Sequence, residues 1–187
     1  MSITQVLDAT CHSNTTFCNG YLLDLAKSLL LPENCGLDFN AGNPIVRNAH
    51  IALIAYAPVY GAGCLKDPQT SMYCYANAIT NFSNPGNVIV YYLPLNISLP
   101  ASTIPTCSSC LQQTMNVFQA ATANRKQYVA GNYQSAAQQI NGICGPNFVD
   151  DQIAAAITSG GLRNYGVGSS WRTIISISAL ALLPLLF

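Results

Sequence analysis

Charged residues are scarce in this chain, because Asp, Glu, Lys and Arg make up only 7% of its 187 residues. Seven basic residues balance seven acidic ones, and Lys and Arg form no cluster. A nucleic-acid-binding protein needs a basic surface, so the sequence predicts no nucleic-acid partner. Half of the residues are hydrophobic. This excludes a disordered chain, since disorder requires low hydrophobicity and high net charge.

Recognised catalytic signatures are also lacking, because the chain has no G-x-S-x-G, Walker or H-E-x-x-H motif. His50, near Arg47 on a predicted helix, could serve as a general base, but a structural histidine is the simpler interpretation. His12 is interpreted as a loop residue. Asp150 and Asp151 are adjacent and cannot readily straddle a sugar ring, so a solvated turn is favoured. We therefore predict no catalytic residue, no metal site and no cofactor.

Cysteine, in contrast, is abundant, with eight cysteines spread over the first 144 residues. An even number spread in this way is typical of a disulfide framework made in an oxidising compartment. The alternative is a cytosolic protein with eight buried free thiols. We predict that all eight form disulfides: Cys11, Cys18, Cys35, Cys64, Cys74, Cys107, Cys110 and Cys144.

Two of these cysteines are close in sequence, as Cys107-Ser108-Ser109-Cys110 at the start of a predicted helix. This spacing resembles a redox pair, whose thiolate a helix N-terminus stabilises. The βαβ pattern of a thioredoxin-like fold is missing. Zinc binding by Cys107, Cys110, Cys144 and a histidine would lack the usual second close pair of ligands. Structural disulfides are the favoured interpretation.

Three N-x-[ST] sequons indicate the same oxidising compartment, with acceptors Asn14, Asn81 and Asn96. Each sequon on its own is weak, since a chain rich in Asn, Ser and Thr contains some by chance. Glycans on these residues would supply the surface hydration that so few charges cannot. We predict N-glycosylation at all three positions.

The C-terminal segment Ile174–Phe187 is apolar apart from two serines. It is shorter than the roughly 20 helical residues needed to cross a bilayer, and Pro184 would further weaken a spanning helix. The small triplet Ser159-Gly160-Gly161, then a polar spacer and this tail, is the layout of a glycosylphosphatidylinositol (GPI) attachment signal. We predict Ser159 as the acceptor, with Gly160 or Asn164 as alternatives. A short tail anchor and a buried terminal helix are the competing interpretations.

The beginning of the chain conflicts with that prediction, because Met1 is followed by neither a basic region nor an apolar run of 7 to 15 residues. GPI attachment requires entry into the secretory pathway. We therefore expect the true N-terminus to lie upstream. The alternative, a cytosolic protein with an apolar tail, leaves the cysteines and sequons unexplained.

The hydrophobic pattern predicts a mainly α fold, a disulfide-stapled helical domain with a short irregular or β segment around residues 61–100. The expected organisation is a cysteine-rich extracellular domain over 1–150, a stalk over 151–159 and a GPI signal over 160–187. In the irregular segment, turn residues and the β-rich run Val88–Tyr92 predict short strands.

Helix signals divide the first part of the domain. A helix is predicted from residue 19 or 20 to residue 31, before Pro32. Asn43 and the proline after it open a second helix, Ile45–Ala57, which is apolar nearly all round and is expected to be the buried central helix. Pro58 is predicted to end it.

Two C-terminal helices are predicted to form an antiparallel hairpin, one beginning at Ser108 and one running from Val129 to Cys144. Antiparallel packing would bring Cys110 close to Cys144, so we predict a disulfide between them. Local closure of Cys64 with Cys74, or pairing of Cys74 with Cys107, stays open.

The segments TQVLDATC, GNPIV, YCYANAITN, YYLPL, PTCSSCLQQTM and SAAQQINGICGPNFV resemble a family of uncharacterised cysteine-rich, GPI-anchored secreted proteins of filamentous ascomycete fungi. The similarity covers about residues 3 to 149. It implies a cell-surface or cell-wall protein with a signal peptide and a further cysteine-bearing segment upstream. It also implies that this chain is an N-terminally truncated member.

Two function classes follow. The first is a non-enzymatic surface or wall glycoprotein, held at the membrane by a GPI anchor, that is structural or binds wall glycans or small hydrophobic ligands. The second is a wall-modifying enzyme with an unrecognised carboxylate site. Tyr73, Tyr75, Tyr91 and Tyr92 could stack on sugars, although such tyrosines are more often core residues. Two carboxylates in one pocket would favour the enzyme, and an aromatic groove without acids would favour the binder.

Overall fold

The computed structural model describes residues 2–157, and within them the chain is a disulfide-stapled helical domain, as predicted. No residue of that range lies in a strand, apart from an isolated antiparallel bridge between Lys66 and Tyr73. None of its helices is long and apolar enough to cross a membrane. The elements are α1 Ile3–Cys11, α2 Thr15–Leu29, α3 Gly36–Asn40, α4 Pro44–Ile54, α5 Tyr56–Gly63, α6 Cys74–Thr80, α7 Gly86–Ile89, a 3₁₀ helix Val90–Leu95, α8 Ser109–Ala121 and α9 Val129–Cys144.

The hairpin of α8 and α9 carries the hydrophobic core. Ser108 caps α8 by accepting a hydrogen bond from the backbone N–H of Leu111 at 3.3 Å. Met115 and Phe118 of α8 face Tyr133 and Ile140 of α9, and all four side chains are fully buried. The apolar faces of the two helices therefore pack together, and the predicted antiparallel hairpin is confirmed.

The helix α2 begins earlier than predicted. Asn14 accepts a hydrogen bond from the Phe17 N–H at 3.1 Å, so the helix starts at Thr15, and Gly20 lies inside it rather than at its start. An asparagine N-cap satisfies one of the free donors at a helix start. This local interaction outweighs the cost of a glycine in the helix interior.

The predicted central helix Ile45–Ala57 is wrong in its extent and in its burial. It is divided into α4 and α5 at Ala55, and Ile45 is 78% exposed. Pro58 does not end a helix, because it is the third residue of α5. The first residues of a helix have no intrahelical partner for their N–H groups, so a proline costs no hydrogen bond there. The apolar residues of this segment therefore lie mostly at the surface of the domain and not in its interior.

The predicted strand Val88–Tyr92 is also wrong, since α7 and the 3₁₀ helix occupy it. Asn96, in the left-handed conformation with φ of 62°, ends the 3₁₀ helix. Val90, Tyr91 and Leu93 are buried against α8 and α9. Their tertiary burial overrides the preference of β-branched and aromatic residues for strands.

Three disulfides join Cys11 to Cys64, Cys74 to Cys110 and Cys107 to Cys144. The predicted bond between Cys110 and Cys144 is not formed, and neither alternative is. Cys107 precedes the helix and meets the end of α9, whereas Cys110 lies in the first turn of α8 and faces α6. The Cys107-Ser-Ser-Cys110 segment is therefore not a redox pair.

Cys18 and Cys35 carry free thiols, so the framework is smaller than the predicted eight cysteines. Cys18 lies in the first turn of α2, and the Cys35 N–H bonds to the Leu29 carbonyl at its other end. At a rise of about 1.5 Å per residue, the length of α2 keeps these two thiols apart.

Candidate ligand-binding groove

A groove of about 630 Å³, open to solvent, separates α2 and the end of α4 from the connection between α8 and α9. Most of its lining is apolar, and four aliphatic side chains form the floor: Leu23, Ala26, Leu30 and Ile54. Its volume lies within the roughly 300 to 1,000 Å³ that is usual for sites of small molecules.

Helix α2 places the floor residues. Leu23, Ala26 and Leu30 follow each other at spacings of three and four residues, so they lie on one face of the helix. That face meets α4, with which α2 makes its most extensive packing. Ala26 is buried beneath the groove, whereas Leu30 is 37% exposed at its edge.

The opposite wall is the connection between α8 and α9. The Arg125 guanidinium donates to the Thr122 and Ala154 carbonyls, the latter at 2.8 Å. Gln127 Nε2 donates to the Ile54 carbonyl at 2.8 Å, which ties the connection to α4. The other side-chain atom of this buried glutamine, Oε1, has no donor partner.

His50 and Tyr128 form an aromatic part of the lining. The Tyr128 hydroxyl lies 3.4 Å from His50 Nδ1, and the ring of His50 meets Phe39 edge-on at 5.1 Å. Burial lowers the pKa of His50, so the imidazole is neutral near pH 7. Arg47 lies over Phe39 and bonds to its carbonyl, so it belongs to this packing rather than to a catalytic pair.

The charged side chains that line the groove are all basic. Lys27, Arg125 and Lys126 lie along its rim, and among the residues described no aspartate or glutamate lines it. Lys27 pairs with Asp24 at 2.8 Å, which is the one ion pair within residues 2–157. Arg125 and Lys126 are exposed, so the rim by the connection is positive.

A smaller, polar cleft of about 190 Å³ lies between α6, the 3₁₀ helix and the start of α8. In the described part of the chain Asp67 is its one carboxylate. The backbone N–H groups of Gln69 and Thr70 and the Ser109 hydroxyl donate to Asp67. These bonds lower the pKa of its carboxyl group, so it stays ionised and is unsuited to act as a general acid.

The tyrosines considered for sugar stacking do not form one surface. Tyr73 and Tyr91 are buried in the core, and Tyr75 packs edge-on against Tyr91 at 5.0 Å. The Tyr73 hydroxyl donates to Asp8 at 2.8 Å. Of the four, only Tyr92 is exposed. Core packing is therefore their main role.

The other candidate acids and histidines hold structure. Asp150 accepts hydrogen bonds from Gln119 of α8 and from the Gln152 N–H, and Asp151 accepts one from the Gln152 side chain. Both acids lie in the irregular segment after α9 and not in a regular turn. His12 is exposed and bonds to the Asp8 carbonyl. Within residues 2–157 no group of three or more His, Cys, Asp or Glu is placed to hold a metal ion.

All three sequon asparagines are exposed. Asn14 caps α2 through its Oδ1 atom, which leaves Nδ2 free for a glycan. Asn81 lines the polar cleft, and Asn96 lies at the rim of the groove. Glycosylation at these positions stays a prediction, and Ser159 with the GPI signal lies outside the described residues.

The groove was not predicted from the sequence, because Asn124, Arg125, Lys126 and Gln127 look locally like a short polar connection between the two predicted C-terminal helices. The one signal in the sequence was an Arg-Lys pair in a chain with so few charges. Leu23 and Gln127 are about a hundred positions apart, so no local pattern brings them together.

A family model described as "Domain of unknown function (DUF7729)" matches residues 1–153, most of the chain. Comparison with curated proteins and with solved structures gives no match. The three disulfides indicate folding in an oxidising environment. By the extent of the matched region, the chain belongs to the DUF7729 family.

Proposed function

We propose that this protein is a non-enzymatic cell-surface glycoprotein whose groove binds a small, mainly apolar ligand. The observation that carries the proposal is the groove itself, which combines an aliphatic floor, aromatic side chains and a lining without acids. Small-molecule sites are typically apolar clefts with a few polar groups that fix orientation.

The alternative, a wall-modifying enzyme, finds less support. Glycoside hydrolysis uses two carboxyl groups about 5 to 10 Å apart. In the described residues the polar cleft offers only Asp67, which is held ionised, and the groove offers none. For binding of wall glycans, the polar cleft offers support only in the amide and hydroxyl groups that line it.

The proposed location is the outer face of the plasma membrane or the cell wall, through a GPI anchor at Ser159. The Ile157 N–H bonds to the Ala123 carbonyl at 3.1 Å, next to the connection that forms one wall of the groove. An anchor at Ser159 would therefore hold the groove close to the membrane. Release from membranes by phosphatidylinositol-specific phospholipase C tests the anchor, and retention with the C-terminal tail still detectable by mass spectrometry would contradict it.

Binding of Nile red, a neutral apolar dye, tests the proposed function with two neighbouring substitutions. Leu30 lines the groove and Leu31 does not, while their exposed fractions are similar at 37% and 44%. We expect the full chain to enhance the dye's fluorescence, Leu30→Glu to weaken binding at least tenfold, and Leu31→Glu to leave it nearly unchanged. Absence of saturable binding, or equal losses in both variants, would refute the proposal.

A further inference from the structure

We infer that the groove selects ligands with an anionic head group, and that its ligand is a long-chain carboxylic acid. This inference rests on the proposed function, because it names the class of apolar ligand that the groove takes. The acyl chain would lie on the aliphatic floor, and the carboxylate would lie at the rim by the connection between α8 and α9.

The charges of the rim favour an anion. Arg125 and Lys126 carry two positive charges that no carboxylate of the described residues neutralises. The Arg125 guanidinium is held in place by two backbone carbonyls, so it is already oriented before a ligand binds. A fixed guanidinium is well suited to a carboxylate. The Lys126 side chain makes no bond to the described residues, so it is free to reach the same head group.

The polar atoms of Gln127, on the same connection, disfavour an anion beside them. Gln127 Oε1 is a buried acceptor without a donor, and Gln127 is tied to the end of α4 at Ile54. An acceptor repels a carboxylate oxygen but would accept a hydrogen bond from an alcohol. The structure thus offers two competing preferences, a carboxylate at Arg125 and Lys126 or a hydroxyl at Gln127. The two positive charges favour the carboxylate.

Displacement of Nile red by three ligands of equal chain length separates these preferences: dodecanoate, dodecanol and dodecylamine at pH 7.4. With the full chain we expect dodecanoate to bind at least fivefold more tightly than dodecanol, and dodecylamine to bind most weakly. The advantage of dodecanoate should shrink as the salt concentration rises, because exposed charges are screened. Equal binding of dodecanoate and dodecanol, or tighter binding of dodecanol, would overturn the inference.

Matched variants assign the selectivity to the rim. Lys126→Gln removes a charge without breaking a side-chain bond. We expect it to weaken the binding of dodecanoate by about two- to fivefold, in line with the energy of exposed ion pairs. The binding of dodecanol should be unchanged. Lys66→Gln, outside the groove, is the control. Arg125→Lys retains the charge, so it should preserve the preference for dodecanoate. If the double variant Arg125→Gln, Lys126→Gln still preferred dodecanoate over dodecanol to the same extent, the inference would be overturned.

Failure of the inference differs from failure of the proposed function. If Nile red binds at the groove and all three ligands displace it equally, the binding module stands and the head-group preference is wrong. If Nile red does not bind in a saturable way, the proposed function itself is wrong, and with it the inference.

Discussion

The two parts of the described chain differ in how they use their apolar residues. Every member of the core cluster lies between Ala62 and Val149, although residues 2–60 form five of the helices or parts of them. That N-terminal layer exposes large side chains such as Phe17, Leu37 and Ile45. The later part therefore supplies the stability of the fold, and the N-terminal layer supplies one wall of the groove and an apolar surface.

The cross-links follow the same division. Two disulfides lie within the later part, and the third joins Cys11 of the N-terminal layer to Cys64. The Tyr60 hydroxyl also donates to the Cys11 carbonyl at 2.8 Å. The layer is thus attached to the core near its first helix and through α5, which packs against α8 and the 3₁₀ helix.

The same substitution in each part tests this division most strongly. Phe118→Ala removes a fully buried ring and is expected to lower the free energy of unfolding by about 3 to 5 kcal/mol. Phe17 is 69% exposed, so Phe17→Ala should change it by no more than about 0.5 kcal/mol. Chemical denaturation of both variants measures the difference. Similar losses would show that the N-terminal layer is as tightly packed as the core.

Removal of a cross-link tests the stabilising role of the disulfides. Replacement of Cys107 and Cys144 together by serine should destabilise the protein by about 2 to 5 kcal/mol. Without this cross-link the unfolded chain has more conformational freedom, so folding costs more entropy. Cys18→Ser makes the same chemical change at a free thiol and should cost much less. Peptide mapping of the unreduced protein provides the direct check, and a fragment that joins Cys110 to Cys144 would contradict the structure.

Unfolding at alkaline pH tests the burial of the Tyr133 hydroxyl in the core. Burial, followed by the charges of Asp150 and Asp151, raises the pKa of Tyr133 well above its usual value. The unfolded tyrosine ionises near pH 10, so the neutral folded form contributes full stability below that pH and loses it as the pH rises further. Tyr133 alone should cost about 1 kcal/mol by pH 11.

Tyr133→Phe makes that loss measurable. At pH 8 the variant should be less stable by about 1 kcal/mol, because it loses the hydrogen bond to the Asp150 carbonyl. Urea unfolding at pH 8 and at pH 11 should show this deficit shrinking with pH. A constant deficit would mean that Tyr133 does not contribute to the alkaline transition.

Local signals predicted the core part well. The helical patterns of α8 and α9, including the start near Ser108, depend on residues three or four apart, and the predicted hairpin is confirmed. The choice between Cys107 and Cys110 failed because three residues at a helix start change the direction of a side chain. Neighbouring elements decide that direction, and the sequence pattern does not contain them.

The N-terminal layer and the groove were harder to predict for the same reason. The helix from Ile45 is apolar on most sides, which favoured a buried position, yet only packing determines which side is covered. The 3₁₀ helix at Val90 overrides strand propensity through burial. The groove joins α2 to a connection about a hundred residues later, so it follows from the fold and not from any motif.

Hydrogen exchange of the full chain, measured by mass spectrometry with and without saturating dodecanoate, tests the central claim most directly, because the groove lies between the two parts. Without ligand, backbone amides of α2 and α4 should exchange faster than those of α8 and α9. Dodecanoate should slow exchange in the second half of α2, at the end of α4 and over residues 122–128. Protection centred instead on α6 and the polar cleft, or no protection anywhere, would contradict the account of the groove as the binding site.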